Sequence, residues 1–170
     1  LLICNHVSYA DALVISAGIW RPVRFVMDHR IYKLPVLHWI FKTSKTIPIA
    51  SRRENPQLLE QAYQEIVQAL RNGELVCIFP EGVITRDGEL ADFRPGLLRI
   101  LGEISVPVIP LGVAGLWGSI FSRAPLVEKL TRYFRPFRKI YLRAGESVAP
   151  EAAELVALRT EVLGLRGIRR

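Results

Sequence analysis

Acidic residues are scarce where this chain is most basic. Between Arg21 and Arg53, Asp28 is the single acid among eight Lys or Arg, and between Arg123 and Arg143, Glu128 stands against seven. With a formal net charge of +7, such stretches favour anionic partners: phosphate groups, lipid headgroups, acidic carrier proteins or nucleic acid. A solvated surface also shows such charge. Cysteine is sparse. Cys4 and Cys77 both lie in apolar surroundings and read as buried thiols in a reducing compartment. No Cys/His spacing suits zinc, and the three histidines sit in unlike contexts, so no metal is expected. No apolar run reaches the roughly 18 to 20 residues of a membrane span, and no signal peptide is visible. There is no G-x-S-x-G elbow, no repeat and no low-complexity tract. No recognised nucleic-acid motif accompanies the charge, so nucleic acid is not an expected partner. The chain opens without Met, inside the apolar run Leu1–Cys4, which suggests a domain excised from a longer protein.

What is present is enough for a core. At 170 residues, half of them hydrophobic, residues 1–170 read as a single domain. Short apolar runs predict strands at Leu1–Cys4, Val23–Met27, Thr46–Ala50, Glu74–Phe79, Val106–Val113 and Lys139–Gly145. Helical patterns lie at Ser8 to about Ile19, Ile31–Phe41, Asn55–Leu70, Pro95–Leu101 and Pro150 to about Leu163. Ser8 can cap the first helix, placing Asp11 at its third position. Residues 116–137 remain unassigned. Strands alternating with helices argue for an α/β domain, its central sheet largely parallel or mixed and flanked by helices.

In such sheets chemistry collects where strands end. Three polar clusters sit there: Asn5-His6-Val7-Ser8-Tyr9-Ala10-Asp11, Ala50-Ser51-Arg52-Arg53-Glu54-Asn55, and a Phe79-Pro80-Glu81-Gly82 block running on to Gly88. Parallel strands would bring all three to one sheet edge. His6 and Asp11 on one helix would point about 140° apart, at about 100° per residue. They meet only if His6 lies in the turn before the helix. Asp11 would then fix the imidazole tautomer while the other nitrogen removes a proton. Read alone, the pair is more readily a loop donor to backbone and a helix-end acid than a catalytic pair. Glu81 can accept from a polyol or orient an Arg, and Gly82 lets backbone approach a ligand. Arg52, Arg53, Arg86 and Arg94 are candidate phosphate forks.

Together these blocks resemble the glycerolipid acyltransferases of the lysophosphatidic acid acyltransferase type. The family pattern is a His and an Asp separated by four residues and preceded by Asn (Asn5, His6, Asp11). An Ile47-Pro48-Ile49 core with a following Arg52 comes next, then Phe79-Pro80-Glu81-Gly82, then Val106–Pro110. The blocks keep the family's order over most of the chain. Where the commonest third block continues Thr-Arg-Ser, this chain has Val83-Ile84-Thr85-Arg86. That form looks more like the branch acylating 2-acyl-glycerophosphoethanolamine, whose domain is often fused to an acyl-carrier-protein ligase. The resemblance implies an O-acyltransferase moving a fatty acyl group from acyl-CoA or acyl-carrier protein to the free hydroxyl of a lysophospholipid, with no bound cofactor. It implies His6 as general base and Asp11 as its orienter. Asn5, Arg52, Glu81, Gly82 and Arg86 would bind the substrate headgroup. It also implies a peripheral enzyme, or a domain of a membrane protein, on the cytoplasmic side of the cell membrane. The alternatives are a serine-type lipid hydrolase using Ser8 or Ser51, and a non-catalytic lipid- or membrane-binding module. The apolar and aromatic residues of 31–41 would suit a bilayer or a core helix.

Overall fold

The computed structural model describes residues 1–32, 42–133 and 139–167. The elements run β1 (Leu2–Cys4), α1 (Asp11–Gly18), β2 (Val23–Asp28), α2 (His29–Tyr32), β3 (Ile47–Ile49), α3 (Pro56–Arg71), β4 (Leu75–Ile78), α4 (Gly96–Glu103), β5 (Ile109–Ala114), α5 (Leu126–Tyr133), β6 (Tyr141–Ala144) and α6 (Leu155–Arg166). The six strands form one sheet in the order β3-β2-β4-β1-β5-β6. All neighbours pair parallel except β5 with the edge strand β6. The expected α/β architecture is therefore present, as a mixed sheet with five parallel strands.

The central strands are apolar throughout because both faces are covered, which is what a parallel sheet demands. Alternate residues feed two cores. Leu1, Ile3, Val76, Ile78 and Val108 face α3, α4 and α6 through Ala62, Ile66, Leu97, Ile100, Leu158 and Val162. Leu2, Cys4, Phe25, Cys77, Leu111 and Val113 pack with Ile15 of α1 and Leu116 on the other side. α3 carries its own boundaries. The Asn55 side chain accepts from Leu58 N–H at 2.9 Å, Pro56 opens the helix, and Gly73 closes it at φ +74°. Gly112 lets α6 lie directly on β5, since a Cβ there would come within 2.5 Å of the Leu165–Arg166 backbone.

Several boundaries differ from expectation. α1 begins at Asp11, not Ser8, for a reason given below. The closing helix starts with a separate 3-10 turn at Pro150–Ala152. Residues 116–137, unassigned from sequence, contain α5. The expected helix Ile31–Phe41 lies mostly outside the described residues.

The two central strands define the crevice. β1 and β4 are neighbours, yet the chain leaves β1 into α1 on one face and leaves β4 into α4 on the other. That is a topological switch point, where an α/β sheet opens a cleft beyond its strand ends.

Candidate active site

His6 and the Phe79–Gly82 turn occupy this cleft, one after each of the two strands. Asp11 is fully buried and its Oδ2 accepts three hydrogen bonds, from Val7 N–H (2.8 Å), Ser8 N–H (3.0 Å) and His6 Nδ1 (2.8 Å). An oxygen already receiving two backbone N–H groups is an acceptor, so Nδ1 is the donor and Nε2 holds the lone pair. The imidazole stacks on Phe79, centroids 4.1 Å apart and planes 16° from parallel, and keeps 20% side-chain exposure.

The same geometry corrects the expected helix cap. The Ser8 hydroxyl accepts from Ala10 N–H at 3.1 Å, two residues on, and lies 3.5 Å from Ser119 Oγ. It closes a local turn instead of capping a helix; Ala10 takes the cap position with no side-chain hydrogen bond, and the helix runs from Asp11. Asp11 is thus the first helical residue and its carboxylate reaches back across the turn to His6.

Glu81 holds this turn from the neighbouring strand. One of its oxygens accepts from His6 N–H at 2.7 Å and the other from Ala91 N–H at 2.9 Å. Thr85 N–H donates to His6 carbonyl oxygen at 3.0 Å, and the Thr85 hydroxyl donates to Asp87 at 2.8 Å. Glu81 is only 2% exposed. Burial raises its carboxyl above the usual value, opposed by the two backbone hydrogen bonds and by His6. The expectation that Glu81 binds the headgroup is therefore corrected in one respect: both oxygens are already engaged inside the protein, on His6 N–H and on Ala91 N–H. Asn5 is corrected in the same way. It is fully buried, donating from Nδ2 to Val113 carbonyl oxygen (2.9 Å) and accepting Val113 N–H on Oδ1 (2.8 Å), which ties the end of β1 to β5.

Gly82 has φ +68°, and a Cβ on it would lie 2.9 Å from Nε and 3.0 Å from Cζ of Arg94. The space this glycine leaves is filled by that guanidinium instead of standing open for a ligand. Arg94 N–H also donates to Pro80 carbonyl oxygen at 2.9 Å. Arg94 is thus the arginine seated on the Phe79–Gly82 turn. Among the described residues no carboxylate pairs with Arg94 or with the exposed Arg86. Arg52 is not brought to the His6 turn. It is exposed after β3, three strands from β1, about 14 Å at about 4.8 Å per strand, and its charge acts on Glu60. Ser51 shares that loop, and the Ser8 hydroxyl has no contact with His6, so neither serine is placed as a nucleophile beside it.

Phe79 and Arg94 are the site residues whose contacts sequence reasoning missed. Phe79 ends an apolar strand and reads as core, and Arg94 stood as one of four arginines without means to choose. Among the described residues no three His, Cys, Asp or Glu side chains gather as a metal site. Cys4 and Cys77 are buried free thiols, both pushed up in pKa by burial.

Residues 1–114 match the family model described as Acyltransferase. The chain is 27% identical over 114 residues to the chloroplastic 1-acyl-sn-glycerol-3-phosphate acyltransferase BAT2 of Brassica napus, covering 66% of this chain and 32% of that protein. It is 28% identical over 112 residues to the 1-acyl-sn-glycerol-3-phosphate acyltransferase of Pseudomonas aeruginosa, covering 65% and 42%. It thus spans between about a third and a half of these relatives. The crystal structure of the 1-acyl-sn-glycerophosphate acyltransferase PlsC of Thermotoga maritima shares the fold at a TM-score of 0.68 and 23% identity, over 95% of this chain and 60% of that one. With the family model matching two thirds of its length, over the segment that carries His6, Asp11 and Glu81, the chain belongs to the acyltransferase family.

Proposed function

We propose that this chain transfers a fatty acyl group from an acyl thioester to the free hydroxyl of a lysophospholipid. The observation that carries this reading is the His6–Asp11 pair at the switch point, with Nδ1 committed to Asp11 and Nε2 left for a substrate. Nε2 takes the hydroxyl proton as that oxygen attacks the thioester carbonyl. The buried Asp11 stabilises the imidazolium that forms. Collapse of the tetrahedral adduct expels the thiolate, which recovers the proton from His6. Atoms balance without a covalent acyl-enzyme, consistent with a site that brings no serine or cysteine to the imidazole. Glu81 and Phe79 hold the ring in place, and Arg94 and Arg86 supply cations for a headgroup phosphate.

The relatives' names support 1-acylglycerol-3-phosphate as acceptor, and the Val83–Arg86 stretch supports 2-acyl-glycerophosphoethanolamine. The donor is acyl-CoA or acyl-carrier protein. The reaction would take place peripherally at the cytoplasmic face of a membrane; among the described residues no helix is long and apolar enough to cross one. A purely lipid-binding module would not need Nδ1 fixed and Nε2 open. The test is thiol release from each donor with each acceptor. His6→Ala should abolish it while leaving the unfolding transition close to that of the parent chain, and wild-type turnover in that variant would sink the proposal.

A further inference from the structure

The surface beside the His6 turn is apolar where an exposed turn is ordinarily polar. Tyr9, Ile120, Phe121, Leu126, Val127 and Leu130 are all exposed, with Ile120 at 73%, Phe121 at 53% and Leu126 at 70%. Tyr9, Ile120 and Phe121 adjoin one another as a ridge, and the exposed α5 residues follow directly in the chain. Tyr9 N–H donates to Phe121 carbonyl oxygen at 3.1 Å, and Ser8 and Ser122 pair in an antiparallel bridge. α5 follows Ser122 after three residues. Its Leu126, Val127 and Leu130 fall within about 100° of one another on the helix. That apolar stripe, normally turned to the core, faces outward here, while Lys129 on the same helix is half-buried. Contiguous apolar surface of this kind marks a binding face.

We propose that this ridge docks the domain on a phospholipid bilayer carrying anionic headgroups. The side chains stand proud of the fold, an arrangement suited to sinking between acyl chains and not to lying flat on another protein. Arg123 donates to the Tyr9 hydroxyl at 3.1 Å and its guanidinium carbon lies 6.0 Å from the ring centroid. A ring with a polar tip beside a cation belongs at headgroup level. Arg123, between Phe121 and α5, and Lys129 of α5 supply cations that complement anionic lipid. Because Tyr9 follows His6 by three residues, docking brings the His6 turn to the bilayer edge.

The test is co-sedimentation of this chain with vesicles of equal parts phosphatidylcholine and phosphatidylglycerol. Partitioning should weaken in phosphatidylcholine alone and with added salt. Carrying Ile120→Asp and Phe121→Asp together should weaken it by about tenfold or more, while Val156→Asp, an exposed apolar position on α6, should leave it unchanged. The proposal is overturned if wild type binds neither vesicle, or if the paired variant binds as wild type does. It is also overturned if wild type sediments as a dimer that the paired variant converts to monomer, which would assign the ridge to a second copy. No acyl donor or acceptor is present, so this outcome is independent of the acyl-transfer reading.

Discussion

Asp11→Asn and Asp11→Ala should separate the two things this carboxylate does. Three donors converge on Oδ2, whereas Oδ1 is buried with no hydrogen-bond partner among the described residues. The amide oxygen of the Asn variant can take the place of Oδ2 and keep all three donors satisfied. Its NH₂ then occupies the unpartnered position, one buried polar group with both N–H donors left wanting, at about 1–3 kcal/mol for the group. The Ala variant leaves both Val7 N–H and Ser8 N–H unsatisfied, about 2–6 kcal/mol for the two, and frees His6 Nδ1 as well. Stability should therefore fall in the order wild type, Asn, Ala, read as urea midpoints at constant slope. Turnover follows a different rule. The Asn variant retains the His6 tautomer and loses the charge that stabilises the imidazolium, so kcat should drop by about a hundredfold or more with KM little changed. Thiol release from acyl-CoA measures it. Equal unfolding of the two variants would refute the single-oxygen geometry. Wild-type kcat in the Asn variant would refute the charge argument.

Glu81→Gln should lower stability by about 1–3 kcal/mol, because an amide offers one acceptor oxygen to two N–H groups and turns its NH₂ on one of them inside a buried site. It should also remove a pH dependence. Burial raises the folded-state carboxyl above its ordinary 4.5, so between 4.5 and the raised value the folded state binds more protons than the unfolded. In wild type this group's contribution to stability therefore declines as pH rises through that window; the variant's difference from wild type, followed by urea midpoint against pH, should shrink accordingly. Arg94→Ala should raise KM for phosphate-bearing acceptors about tenfold or more with kcat nearly unchanged, whereas Arg52→Ala should change neither; a steady-state comparison of the two decides which arginine serves the site. Gly82→Ala should destabilise by about 1 kcal/mol or more, since it combines φ +68° with a contact 2.9 Å from Arg94 Nε, seen as a lowered thermal midpoint.

Much of this protein was legible before any fold was known. Apolar runs of strand length marked five of the six strands to within a few residues. The helix Pro56–Arg71 was marked at both ends by Asn55 and by Asn72-Gly73, because caps act through bonds only a few residues long. The fifth strand was extended too early, over Val106–Val108, since its prolines and valines read as one apolar run. The first turn was misread for a related reason. Ser8 is a good helix cap and equally a good closer of a local turn, and local propensity cannot say which of the two its hydroxyl does.

By itself the sequence determined the α/β class and the places of its strands and longest helix, since these follow from short-range periodicity and caps; it allowed the pairing of His6 with Asp11, and the structure made it. Only the tertiary structure decided what surrounds that pair. Setting β4 against β1, through residues more than seventy positions apart, turned Glu81 inward to His6 N–H. It seated Arg94 on Gly82 and left Arg52 three strands away. Strand order depends on long-range pairing and on which face each connecting helix covers, and neither leaves a local trace in the chain.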